Sequence, residues 1–395
     1  MEARDIIVLT PSGATDPSLA IAACRAGAIG VLDLEYTSAI LAEQALKRLA
    51  RFATGFGVLV RADAADVFPL FVKYKPVRVI LAGGENPALA TRTRELAAAG
   101  IEVLCEAVNV AEAKAGIAAG ATGIILKGHE SGGRVGLDTS FVLLQKWRQY
   151  AEKSGVRAPF WVRGGVGGNT AAACLVGGAR GVVLDSQVLL ARETPLRDSA
   201  RKRIAGLDGG ETLVLGARLG EGYRVYARPD CAGAQELAKD EERLQNATVP
   251  PAEKLAAWRK AVRDRVAADP ADGVWLVGQD IVNAAPLAAK GLTVAGIVQH
   301  IVERANKLLE TAHKLKHLAP HAPLAKSHGT HFPILQGPMT RVSDTAAFAE
   351  SVASSGALPF LALALLRKVE TEKLLAETKA KLGKKPWGVG ILGFV

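Results

Sequence analysis

The chain has 395 residues, 49% of them hydrophobic and only 5% aromatic, with 41 glycines. That size and composition fit one large Ala/Val/Gly-rich α/β domain with additional segments, and they exclude a disordered chain. The formal charge of +10 comes from basic residues interspersed with acidic ones, not from a polybasic tract, which argues against a nucleic-acid partner.

Cys24, Cys105, Cys174 and Cys231 are far apart and form no CxxC pair. Neither a zinc site nor a disulfide framework is expected, and reduced thiols are the plain reading. The N-terminus lacks the charged start and apolar core of a secretory leader, and the apolar run at 357–366 is too short to span a bilayer. A soluble cytoplasmic protein with no membrane partner is expected.

Apolar, β-rich runs occur at residues 6–9, 28–34, 57–60, 77–81, 101–104, 123–126, 160–162 and 181–184. Helix-length stretches lie between most of them, at 17–26, 39–53, 87–99, 110–119 and 169–177. Gly27, Gly100, Gly120 and Gly178 each stand between a helix and the next strand, where a left-handed residue ends a helix cheaply. Strands alternating with helices imply a parallel sheet, and eight such units predict an α/β fold, a (β/α)8 TIM barrel over residues 1–195.

Beyond it, residues 192–245 read as charged and irregular, 251–267 as an amphipathic helix, and 294 to about 315 as another helix. Residues 196–300 are therefore expected to form a cap with C-terminal helices over the barrel mouth, and 301–330 a linker. His313 and His317 lie one helical turn apart, but Lys-Leu-Lys separates them. A cationic surrounding disfavours a metal, so a solvated helix is the better account.

Residues 331–395 echo the start of the chain. "IVLTPSGATDPSLAIAACRAGAIGVL" parallels "ILQGPMTRVSDTAAFAESVASSGALPFL", with Pro11 matched by Pro338, Gly27 by Gly356 and Gly57 by Gly388. The segment reads as the N-terminal part of a second, similar barrel, truncated at 395. Strands at 332–336 and 387–394 would leave sheet edges unpaired, so it is expected to be mobile, docked on the first barrel or completed by further chain.

Barrel ligands bind at the C-terminal strand ends, with phosphate often held after the last two strands. The loops there read "KGHESGGRVG" from Lys127, "RGGVGGN" from Arg163 and "DSQ" from Asp185. Glycines let backbone N–H groups approach an anion closely, so these loops predict a phosphate site. A Rossmann reading fits less well, because Thr170 stands where a third glycine belongs and six strand units already precede the loop.

These motifs resemble the nitronate monooxygenase and flavin-dependent enoyl-acyl-carrier-protein reductase family of FMN barrels, over roughly residues 5–300. "KGHESGGRVG" is similar to the family's glycine-rich loop, and "RGGVGGNTAAACLVGGARGVVLDSQVLL" to its phosphate-binding segment. "QGPMTRVSD" from Gln336 is similar to the family's first flavin-contacting turn, more closely than "LTPSGATD" near the N-terminus. "GVWLVGQDIVNAAPLAAKGLTVAGIVQHI" resembles barrels embedded in large polyketide or polyunsaturated fatty-acid synthases.

The resemblance implies that Gly132, Gly133, Gly164, Gly165 and Gly167 line an FMN phosphate, with Ser186 and Gln187 nearby and Thr10 and Pro11 at the flavin ring. NAD(P)H is the implied reductant. The implied substrate is acyl-carrier-protein-bound or a small molecule, with further domains of a larger polypeptide as partners; a homodimer is compatible with this reading. Arg134 stands where the family carries a histidine, and a guanidinium cannot act as a base, so nitronate oxidation is disfavoured. Lys127 would stabilise an anionic reduced flavin or sit as a solvated loop residue, and His129 would supply a proton or order its turn.

The leading expectation is an FMN-binding enoyl-thioester reductase-like domain of a multidomain synthase. One alternative is a degenerate barrel serving as a structural or docking module. Another is a flavin-free phosphate-binding isomerase or aldolase.

Overall fold

A computed structural model describes residues 1–84, 86–229 and 231–391. The chain divides into two compact units, residues 1–308 and residues 309 onward.

The first unit opens with β1 (Ile6–Leu9), α1 (Ser18–Arg25), β2 (Ile29–Asp33), α2 (Ala39–Phe52), β3 (Gly57–Arg61), α3 (Phe68–Tyr74), β4 (Arg78–Ala82) and α4 (Leu89–Ala98). It continues with β5 (Glu102–Ala107), α5 (Val110–Ala118), β6 (Gly123–Lys127), a short β7 (Gly133–Val135), α6 (Ser140–Ser154), β8 (Phe160–Arg163), α7 (Thr170–Val176) and β9 (Gly181–Leu184). All these strands except β7 pair in parallel, and β9 returns to β1, closing the eight-stranded barrel that the sequence predicts. The helix-ending glycines Gly27, Gly100, Gly120 and Gly178 all have positive φ, as their positions require.

Alternate strand residues fill the barrel. Ile7, Leu9, Val31, Leu59, Ile80, Leu104, Ile125, Trp161 and Val183 form the inner core, and the residues between them face the helices. At Gly30 the helix approaches so closely that a Cβ would lie 2.0 Å from the Ala20 carbonyl oxygen, so no larger residue fits there.

Downstream come α8 (Asp198–Ile204), β10 (Thr212–Leu215), β11 (Gly222–Tyr226), α9 (Ala232–Asn246), α10 (Pro251–Arg263), α11 (Ala284–Lys290) and α12 (Val294–Leu315). Two expectations change here. Residues 192–245 are not irregular: "TLVL" and "YRVY" pair as an antiparallel hairpin, and 232–246 are helical. The hairpin's link is bent by Gly216 and Gly220, both at positive φ. The helix expected from 294 to about 315 is present as α12, and the expected linker at 301–330 changes only where the short α13 (Pro323–His328) follows it.

β11 also pairs with β7, so the cap sheet grips the loop after β6 and is continuous with the barrel's own mouth. Beneath it Tyr223, Tyr226, Trp258, Trp275, Leu276 and Leu189 pack into one buried cluster.

The second unit is a βαβαβ fold of β12 (Leu335–Gln336), α14 (Ala346–Ser354), β13 (Leu358–Ala362), α15 (Lys368–Leu382) and β14 (Gly388–Gly390), all parallel. The echo extends to register: Val31 pairs with Gly57 in the first unit, and the matching Phe360 pairs with Gly388. Part of the predicted strand at 387–394 lies outside the described residues. Among the described residues no single helix is long and apolar enough to cross a membrane.

Candidate functional site

Charged residues terminate the apolar strands at the C-terminal end of the barrel. Asp33, Arg61, Lys127 and Arg163 close β2, β3, β6 and β8, Glu106 lies one residue from the end of β5, and Asp185 follows β9. A strand that ends in a charge aims it into the mouth, because the run before it is committed to the core.

Glu106 accepts from Lys127 Nζ at 3.1 Å and from Arg163 Nη1 at 2.5 Å, and Arg163 Nε reaches Asp185 Oδ2 at 2.8 Å. Glu106, Lys127 and Arg163 are 3%, 1% and 4% exposed, so this is an internal ion-pair chain. Burial opposes the charge on Glu106, but Lys127 and Arg163 overcome it and hold the carboxyl down at about 2. Burial, and then neighbouring Arg163, lower the proton affinity of Lys127. Burial and Glu35 raise Asp33 to about 7.

Thr10 and Pro11 stand beside this chain. Thr10 Oγ1 accepts from the Asp33 N–H at 2.9 Å, and both residues line a cavity of about 20 Å³ with Arg163, Asp185, Ser186 and Trp275. That is the room of roughly one water molecule. A cofactor-sized site needs hundreds of Å³.

The glycine loops do converge. Gly132, Gly165 and Gly167, with Ser186 and Gln187, meet residues 276–283, which occupy the space between them, whereas Gly164 faces Ser131 and Glu130. A Cβ at Gly132 would lie 2.7 Å from the Leu276 oxygen, and one at Gly167 would lie 2.9 Å from Asn283 Oδ1. Asp280 Oδ2 accepts from the Gly165 N–H at 3.2 Å and from Gln187 Nε2 at 2.9 Å. Gly133 faces both Leu276 and the ion-pair chain, with a Cβ position 3.6 Å from Leu276 Cδ1 and 3.7 Å from Lys127 Nζ. With a carboxyl inside the cradle and room for about one water beside Thr10 and Pro11, these residues do not fit an FMN phosphate or a flavin ring in this arrangement.

Arg134 and His129 lie apart from that group, along a cleft of about 530 Å³ with Gly84, Glu112, Glu221 and Arg259. Arg134 sits in β7 opposite Tyr223 and donates to Glu112 through both terminal nitrogens, at 2.9 and 2.7 Å. Asn109 caps α5 by accepting from the Glu112 N–H, and the Glu112 carboxylate is held by the Val108 N–H at 3.1 Å and by Asn109 Nδ2 at 3.4 Å. Arg259 pairs with Glu221 at the far side of the cleft. His129 orders its turn: Nδ1–H donates to the Gly136 carbonyl at 2.6 Å, and its own carbonyl accepts from Arg224. Glu130 accepts from the Ser140 N–H and hydroxyl, anchoring the start of α6.

Lys127 is thus neither a solvated loop lysine nor open to a bound ring, since it is buried against Glu106. Sequence reasoning passed over Glu106, Arg163 and Asp280. The first two carried a readable signal, a charge ending an apolar strand at the same barrel end as Asp33, Arg61 and Lys127. Asp280 carried none, because its partners are 93 and 115 residues away.

The nitronate monooxygenase family profile matches residues 71–303. A curated relative, the (3aS,4S,5R,7aS)-5-hydroxy-7a-methyl-1-oxo-octahydro-1H-indene-4-carboxyl-CoA dehydrogenase of Mycobacterium tuberculosis, is 32% identical over 216 residues. That match covers 52% of this chain and 58% of the relative's length. Among solved structures, FabK from Thermotoga maritima superposes with a TM-score of 0.66 at 24% identity, over 79% of this chain and 96% of that one. The enoyl reductase domain of MlnA from Bacillus amyloliquefaciens gives 0.62 at 11% identity, over 78% and 96%. Nitroalkane oxidase from Streptomyces ansochromogenes gives 0.58 at 22%, over 78% and 96%. These three likenesses establish the barrel fold. With the family profile covering more than half of the chain, the protein belongs to the nitronate monooxygenase family.

Proposed function

We propose that the barrel of residues 1–308 keeps its family's oxidoreductase fold without flavin turnover, and acts as a structural or docking module within a multidomain polyketide or fatty-acid synthase. The buried Glu106–Lys127–Arg163–Asp185 chain carries this reading. It neutralises its own charges beside Thr10 and Pro11, the residues expected at a flavin ring, and the cavity there holds no more than about one water. The likeness to a domain of the macrolactin cluster protein MlnA and the internal echo from residue 331 support the multidomain setting.

A second reading is an FMN-dependent enoyl-thioester reductase that draws hydride from NAD(P)H. It is favoured by Gly164 and Gly165, both at positive φ in the predicted loop, and by the relative's name, which specifies a carboxyl-CoA substrate. The visible absorption spectrum of the purified protein, followed by titration with FMN, separates the two. The first reading expects no flavin bands and no quenching of FMN fluorescence. Stoichiometric flavin in the protein as isolated would overturn it.

A further inference from the structure

The glycine loop from Arg163 and the Ser186–Gln187 pair still form a concave set of hydrogen-bond donors. The Gly165 N–H and Gln187 Nε2 both point at one atom, Asp280 Oδ2, at 3.2 and 2.9 Å. Gln187 is itself aimed: its Oε1 accepts from the Asp185 N–H at 2.8 Å, and it is fully buried. The segment that carries Asp280 is fastened on either side. The Gly278 N–H donates to Ser186 Oγ at 3.0 Å, and the Gln279 N–H donates to the Glu130 carbonyl at 2.8 Å.

Asp280 is 2% exposed, and among the described residues its second oxygen, Oδ1, is buried with no well-formed hydrogen bond, the Ser186 side chain being the polar group beside this carboxyl. An orphaned carboxyl oxygen in a dry site is costly, and native structures rarely keep one without a reason. The charges around it are mixed. Asp185 is tied to Arg163, and Glu130, bonded to Ser140, also lies against the loop with Oε1 3.0 Å from the Cβ position of Gly165, but Asp280 is the carboxyl that accepts from the Gly165 N–H and Gln187 Nε2.

We propose that Asp280 is an internal stand-in for a phosphate oxygen, occupying an anion cradle that Gly165, Ser186 and Gln187 still build, so that shortening this one side chain opens the cradle to phosphate. The reading deepens the loss of cofactor binding proposed above and rests on it. Burial, and then Asp185, keep the Asp280 carboxyl well above the ordinary carboxylate range, in line with a proton held where a ligand's charge would otherwise fall.

The test titrates the full chain with inorganic phosphate, reading the thermal unfolding midpoint against a chloride control of equal ionic strength. Asp280→Ser frees the oxygen's position, and Asp280→Asn keeps the shape while removing the acid. The expected result is no phosphate response in the unmodified protein or in D280N, and at least tenfold tighter apparent phosphate binding in D280S. If D280S folds poorly, Asp280→Ala serves as the second short variant under the same titration. A D280S or D280A protein that is folded but no more responsive than D280N overturns the assignment of Asp280. FMN is titrated in parallel into the unmodified protein. Tight flavin binding there would overturn the absence of flavin turnover, whereas a silent D280S with no flavin bound would overturn only the stand-in.

Discussion

Glu106 is one buried carboxylate serving two cations, Lys127 at 3.1 Å and Arg163 at 2.5 Å. Glu106→Gln keeps the shape and removes the charge. Arg163 would retain Asp185 at 2.8 Å, but Lys127, 1% exposed, would lose its hydrogen-bonded counter-ion. Breaking a buried pair from one side costs about 3–5 kcal/mol, a large share of the roughly 5–15 kcal/mol that holds a domain together. Urea unfolding followed by tryptophan fluorescence measures it.

Lys127→Met should cost less, because Glu106 keeps Arg163. The double variant should recover part of the E106Q loss, with a coupling of about 1–3 kcal/mol, since no unpaired ammonium then remains buried. A Glu106→Gln protein within about 1 kcal/mol of the parent, or strictly additive variants, would refute the idea that these charges lock the mouth. The pH dependence has a definite sign. Glu106 titrates near 2 when folded and near ~4.3 when unfolded, so its contribution is complete above ~4.3 and is lost as pH falls toward 2.

Asp33 has the opposite sign. Raised to about 7 by burial and Glu35, it binds a proton in the folded state that the unfolded chain releases near ~3.9, so stability falls as pH rises from about 4 through 7. Asp33→Asn should flatten that slope, read from urea midpoints at several pH values; an unchanged slope would remove Asp33 from the account. Nitronate oxidation should be absent in the unmodified protein and in Arg134→His alike. R134H should also lose about 1–3 kcal/mol of stability, because the partly buried Glu112 loses its bidentate partner and keeps only the Val108 N–H and Asn109. Nitronate turnover insensitive to position 134 would refute that role.

The barrel was legible because its signals are local and repeated. Each strand is an apolar run, and each of four helices ends on a glycine whose φ is positive. The hairpin of β10 and β11 was missed because Arg224 and the charged flanks mask two four-residue β-rich runs. The pairing that stabilises them comes from β7, almost ninety residues earlier. At the site, the glycine loops were legible as places of close approach, but what approaches them was not. A glycine in a loop states that something approaches closely, and it does not say whether that neighbour is a ligand or residues 276–283 of the same chain.

The echo supplies an internal comparison. Thr10 and Asp33 in the first copy correspond to Gly337 and Ala362 in the second by the Pro11–Pro338 and Gly27–Gly356 matches, and Arg61 corresponds to Leu392, which lies outside the described residues. The charges that fill the first mouth therefore have no counterparts at these positions in the repeat. The two units also differ in what closes them. β1 and β9 complete the first sheet within residues 6–184, whereas β12, β13 and β14 form a three-stranded sheet over a small core of Ala346, Ala349, Leu361, Leu374 and Leu382. Backbone exchange should follow that difference, because a closed barrel leaves no edge and a short open sheet does. Truncation after Leu324 should leave the slow amide exchange of β1 to β6, β8 and β9 unchanged, and in the full chain the amides of 335–390 should exchange faster than those of the barrel. Loss of protection throughout the barrel on truncation would show that residues beyond 324 belong to its cooperative unit, and the separation at residues 308 and 309 would then describe contacts without describing stability.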